Sequence, residues 1–174
     1  MIMNYPVDFR FLLSDSRARV YLLWAAITGL GFTATHFYQD KNINFVWFAL
    51  SFVGFLYMYR VMPLRVTQMR NIFLSWAIPI SVGLGFSILA VRTDFIPELV
   101  GYLGAFWLLV SAVGYFWNGI FDAPSAWYYV VAAVNVGGAI AAYSYEPLLI
   151  GQYLFAAIVS AWSMLMLWTF RADA

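Results

Sequence analysis

The chain has 174 residues, 64% of them hydrophobic and 10% charged, with a formal net charge of +1. Soluble domains carry nearer to about 25% charged residues, so a water-soluble globule is excluded, and a near-neutral chain without a basic run gives no footprint for nucleic acid. It has no cysteine and one histidine, His36, which removes disulfides, thiolate metal sites, iron–sulfur clusters, cysteine nucleophiles and bis-histidine haem, and leaves no cofactor expected.

The first residues, Met1 to Arg19, mix Phe9, Phe11, Leu12 and Leu13 with Asp8, Arg10, Asp15 and Arg17. That mixture reads as a cytoplasmic or interfacial segment over residues 1–18, ahead of a transmembrane domain over 19–171. It lacks the basic start and short apolar run of a cleaved signal. Six apolar stretches follow. Each has about the 20 residues that a helix needs to cross a bilayer core about 30 Å thick. The first runs from Arg19 to Tyr38, the second from Asn44 to Met62, and the third from Arg70 to Val91 with Pro79 near its middle. The fourth runs from Pro97 to Asn118, the fifth from Ser125 to Tyr145, and the sixth from Leu148 to Phe170. The gaps hold turn and breaker residues, such as Met62–Pro63, Thr93–Asp94, Asp122–Ala123–Pro124 and Glu146–Pro147. The expected fold is all-α: a polytopic bundle of six spans.

Charge sets the threading. Arg10, Arg17, Arg19, Arg60, Arg65, Arg70 and Arg171 fall on one side, and Lys41 and Arg92 on the other. The positive-inside rule then places both termini in the cytoplasm of a multi-pass protein, with the cell membrane as the expected location. The opposite loops carry Asp40, Asp94, Glu98 and Glu146. Many aromatics, among them Tyr57, Trp117, Trp127, Tyr145 and Trp168, sit near span ends and read first as an interfacial belt.

Helices in lipid associate through close packing and polar links. Small residues recur at Ala25 and Gly29, at Ser81 and Gly85, at Gly101, Gly104 and Ala105, and at Ala133, Gly137 and Ala141. Each set marks a face that a neighbouring helix, or a second copy of the chain, can approach.

Polar groups inside spans are the functional pointers of a membrane chain. Asn135 lies about nine residues into the fifth span, roughly 13 Å deep at 1.5 Å per residue. Its amide offers donors and an acceptor to a solute or to another helix. Together with Thr28, Ser81, Ser111 and Ser160 it forms the candidate solute path; Ser51 shares their depth. His36, near the end of the first span, is a candidate pH sensor. Gln152 reads as a mouth residue or an interface anchor. Arg60, Arg65 and Arg70, around Pro63, are candidates for anionic lipid headgroups.

Residues Leu99 to Tyr143 resemble one hairpin of the urea and short-amide channels, which also have six spans. The matching pieces are Asn118 before the turn, then Ser125–Ala126–Trp127–Tyr128, then Ala133–Val134–Asn135. The resemblance implies passage of a neutral solute. The chain departs from that family in its charge-derived orientation and in showing no second copy of the hairpin.

Two functions compete. One is a small integral channel or transporter for a neutral or weakly polar solute. The other is a non-catalytic membrane subunit or scaffold, binding a partner protein, lipid or pigment. Neither is an enzyme. Beyond the bilayer, the expected partners are a second copy or a partner membrane subunit.

Overall fold

The computed structural model describes residues 16–38, 40, 42–93, 96–122 and 125–171. They form eight helices and no strand: α1 Ser16–Phe37, α2 Ile43–Val61, α3 Thr67–Arg92, α4 Pro97–Val100, α5 Leu103–Phe121, α6 Ser125–Ser144, α7 Glu146–Ile150 and α8 Gln152–Arg171. Six of them are long and apolar enough to cross a membrane. With Phe45, Phe48, Phe52, Val113, Phe116, Ile120 and Ile140 all facing outward, the outer surface suits lipid rather than water. The chain is a multi-pass membrane protein. The expected amphipathic start falls largely on residues 1–15, outside the described residues.

The fourth and sixth apolar stretches differ from the continuous spans expected of them. Each opens with one short helix carrying Pro97 or Pro147 in its first turn, stops at Gly101 or Gly151, and restarts as a long helix. Proline is favoured at the start of a helix and lacks the N–H to continue one from upstream. The short turns end at Gly101–Tyr102 and at Gly151, and the long helices start directly after them. Pro79, by contrast, sits buried within an uninterrupted α3.

Five long helices form a ring. α1 packs along α8 and α2, α2 touches α3, α3 packs on α5, and α5 returns to α8; α6 lies outside, against α5 and α8. The C-terminal ends of α1, α3 and α6 gather at one end, here the distal end, and those of α2 and α5 at the other, the terminal end.

Two of the small-residue faces act as expected. Gly29 comes close to Ala161 of α8, and a methyl on Gly104 would stand 2.8 Å from the Gln152 carbonyl oxygen. The other two turn outward, with nothing within 4 Å of a methyl placed on Gly85 or Gly137. Adjacent positions take the close contacts instead: Gly83 faces Trp107 and Gly138 faces Leu108.

Candidate functional site

Trp24, Trp47, Trp76 and Trp107 each stand seven residues before a glycine: Gly31, Gly54, Gly83 and Gly114. Positions i, i+4 and i+7 share one face of a helix, so each tryptophan, the residue four further on and the glycine line up together. The four helices use this face on one another in pairs. Methyls placed on Gly31 and Gly54 would come within 2.7 Å of Trp47 and of Trp24, so α1 and α2 exchange indoles into each other's glycine slots. Trp76 fills the slot at Gly114 (2.8 Å) and Trp107 that at Gly83 (3.1 Å), so α3 and α5 do the same. The residues at the fourth position, Thr28, Ser51, Ile80 and Ser111, then meet on the axis. With the four indoles, Phe32 and Met164 they line a chamber of about 30 Å³. A cavity needs about 10–15 Å³ of such volume per water, so this one has room for about two. The Thr28 and Ser111 hydroxyls donate to their own helices, at the Trp24 and Trp107 carbonyls.

Above the chamber, at the distal end, lies a cup of about 340 Å³. Phe32, Trp47 and Trp107 line both spaces, so they form the floor of one and the roof of the other. Trp47 is fixed there on three sides. Its ring packs 4.7 Å from Phe32 and stacks at 6.0 Å on Trp107, and its Nε1–H donates to Thr35 Oγ1 at 2.8 Å. The cup's walls are mostly apolar and aromatic, with the neutral polar residues Thr35, Asn44, Ser87 and Gln152 among them and Asp40 at the exposed rim. Gln152 is fully engaged. Its Oε1 accepts from the Gly104 N–H and its Nε2 donates to the Gly101 carbonyl, both at 2.7 Å, so it ties the break before α8 to the break before α5. Asn44 and Ser87 are not engaged in this way. Both are more than nine-tenths buried, yet Asn44 Nδ2 and Ser87 Oγ have no hydrogen-bond partner among the described residues.

Below the chamber a third space of about 20 Å³ continues towards the terminal end, lined by Val20, Tyr21, Met58, Met62, Met69, Ile72 and Trp76. Beside it Tyr128 donates to Asp122 Oδ2 at 2.6 Å and its hydroxyl also meets that of Tyr21. Asn118 and Ser75 add a second buried polar contact, Ser75 Oγ donating to Asn118 Oδ1.

Of the candidates from sequence, Thr28 and Ser111 share the chamber. Asn135 and Ser160 are buried elsewhere: Asn135 bridges α6 to α8, donating to Ser163 Oγ and to the Val131 carbonyl at 2.8 Å each. Ser81 faces outward. His36 is half-buried beside Phe37 and stands apart from the cup's described lining. Arg60, Arg65 and Arg70 are exposed at the terminal end. Sequence reasoning missed Asn44, Ser87 and the tryptophan–glycine spacing. The recurrence of a tryptophan seven residues before a glycine in four spans was the available signal.

Compared with family models, curated proteins and solved structures, the chain matches none of them. The likeness of Leu99–Tyr143 to the urea and short-amide channels therefore stays one of residue types.

Proposed function

We propose that this protein is a non-catalytic channel or transporter for a small neutral solute, which enters through the cup and crosses along the ring's axis. The observation that carries the reading is the succession of a cup and a chamber inside the ring, which share Phe32, Trp47 and Trp107, with a third space beside α1, α2 and α3 that shares Trp76 with the chamber. The two short helices that precede α5 and α8 support it by bringing backbone to the mouth of the ring. Gly101, Ile150 and Gln152, at the two breaks, all line the cup. In the present conformation the chamber takes water but not the solute that the cup would admit, so Trp47 and Trp107 form the barrier. The arginine distribution puts the termini in the cytoplasm and the cup on the outside.

The test is solute flux into proteoliposomes, followed by stopped-flow light scattering. Ser111→Leu fills the chamber and is expected to bring flux down to that of empty liposomes, with helicity and elution volume unchanged. Asn135→Leu, away from the axis, is expected to leave flux near wild type. Wild-type flux no greater than that of empty liposomes, or flux unaffected by Ser111→Leu, sinks the reading.

A further inference from the structure

The lipid-facing surface of the bundle is indented on one side. Between α5 and α6 lies an open groove of about 330 Å³, walled by Leu99, Tyr102, Phe106, Leu109, Ile140 and Tyr143. Tyr102, Phe106 and Leu109 stand at i, i+4 and i+7, so they share one face of α5 and its cap. Ala105 and Ala139, both buried, also line the groove, and their short side chains leave it open. Leu109, Ile140 and Tyr143 are exposed, so the groove opens outward, onto the surface that meets lipid. It starts at the distal end, where the Tyr102 and Tyr143 rings pack at 5.1 Å. It runs inward to Leu109, roughly 10 Å deeper at 1.5 Å per residue. That depth lies within one leaflet, half of a core about 30 Å thick.

We propose that this groove binds one phospholipid of the distal leaflet, and that its headgroup carries a primary ammonium, as in phosphatidylethanolamine. The apolar part of the occupant follows from the groove's continuity with the lipid-facing surface. A hydrocarbon chain lying in it touches both walls and gains dispersion contacts that a flat surface lacks. Lipid tails are all equally apolar, so the choice among lipids falls to the headgroup. There the charge decides. Glu98 adjoins Leu99 on α4, and Glu146 opens α7 three residues after Tyr143; both are exposed. Carboxylates therefore flank the groove's distal end, level with the headgroups. Arg92, a cation of the same end, is committed to α2: its guanidinium lies 5.1 Å over the Phe45 ring and donates to Asn42 Oδ1. A carboxylate only accepts hydrogen bonds, and a primary ammonium donates them through each N–H. A trimethylammonium headgroup has no N–H to give, and an anionic one sets like charge against the two glutamates. Tyr102 and Tyr143 suit the same boundary, with an apolar ring for the chain and a hydroxyl for the headgroup region. Leu99 of α4 lines the groove while Val100 and Gly101 line the cup, so a single short turn separates this lipid from the cup.

The experiment is native mass spectrometry of the delipidated protein in detergent, titrated with dioleoyl phosphatidylethanolamine, phosphatidylcholine and phosphatidylglycerol. Equal chains leave the headgroup as the one variable. The first phosphatidylethanolamine is expected to bind about two- to fivefold more tightly than the first phosphatidylcholine, the size of an exposed ion pair, with phosphatidylglycerol weakest. Glu98→Gln combined with Glu146→Gln should abolish that preference and leave phosphatidylcholine binding unchanged. Leu109→Trp and Ile140→Trp, which place an indole in the groove, should each weaken the first binding of all three lipids. All four positions are exposed, so the fold does not depend on them, and the two tryptophan variants check each other from opposite walls. Equal or tighter first binding of phosphatidylcholine or phosphatidylglycerol overturns the proposal. So does an ethanolamine preference that survives both glutamine substitutions, or a first binding that neither tryptophan variant weakens.

Discussion

Gln152→Leu tests whether the two broken spans are tied together at the cup. Tyr102 caps α5 without a side-chain hydrogen bond, so the first N–H groups of that helix need an outside acceptor. Gln152 provides it for Gly104, acting as a cap from another helix, and returns its own N–H to the Gly101 carbonyl. Leucine keeps the bulk and removes both. Losing a helix N-cap costs about 1 kcal/mol, and losing the hydrogen bond to the exposed Gly101 carbonyl costs about 0.5–1.5 kcal/mol. Together these give about 1.5–2.5 kcal/mol, roughly a 10- to 60-fold shift in the unfolding equilibrium at 1.4 kcal/mol per tenfold. The assay is unfolding in mixed micelles by increasing SDS fraction, followed by tryptophan fluorescence. Gly104→Ala attacks the same junction by volume. Its methyl would stand 2.8 Å from the Gln152 carbonyl oxygen and 2.9 Å from its carbon, backbone atoms that cannot rotate aside, and overpacking of this kind costs about 1–3 kcal/mol. A loss below about 0.5 kcal/mol for Gln152→Leu, the range of an inert surface change, would refute the tie.

Trp47→Leu removes the ring shared by cup and chamber, and solute leak through proteoliposomes should rise several-fold over wild type. Gly31→Ala, by contrast, pushes a methyl to 2.7 Å from that ring and should destabilise the protein by about 1–3 kcal/mol in the SDS assay. Tyr128→Phe takes a 2.6 Å hydrogen bond from the buried Asp122, and its cost in the same assay should be about 1.5–3 kcal/mol, the range for bonds to charged groups. Because the chain has no cysteine, single cysteines report sidedness directly. One at Arg65 should be labelled by an impermeant maleimide only from the cytoplasmic face, and one at Glu146 only from outside; the reverse pattern inverts the orientation.

The spans were legible because bilayer thickness converts directly into a run of apolar residues, and every long helix was found in the stretch assigned to it. The breaks at Gly101 and Gly151 were not. A glycine in an apolar run reads equally as a packing face, and which role it takes depends on the neighbour, here Gln152. Depth along a span was legible for Asn135, but direction was not: its amide lies at the α6–α8 contact, off the axis. Ser81 and Ser111 had equal standing as hydroxyls at mid-depth, and only rotation about the helix separates the outward one from the one in the chamber. Asn44 was legible only as a span boundary, because a polar residue at a helix start is ordinary until its burial is known. The tryptophan–glycine spacing lay in plain view. It keeps only the residues of one helix face, so the four spans share no likeness as whole segments.

That repeat also organises how the ring is held. Within each pair, α1 with α2 and α3 with α5, an indole from each helix occupies a glycine slot on the other, so sliding within a pair must drag a large ring past a backbone. Between the pairs no such exchange exists. α2 and α3 share the thinnest contact of the ring, and they carry Asn44 and Ser87 respectively. The two unmet polar groups therefore stand on opposite sides of the seam with the least to break. Trp47 on α2 and Trp107 on α5 belong to different pairs. The stacked indoles that close the axis thus belong one to each side of the division, so a shift between pairs parts them without breaking either exchange.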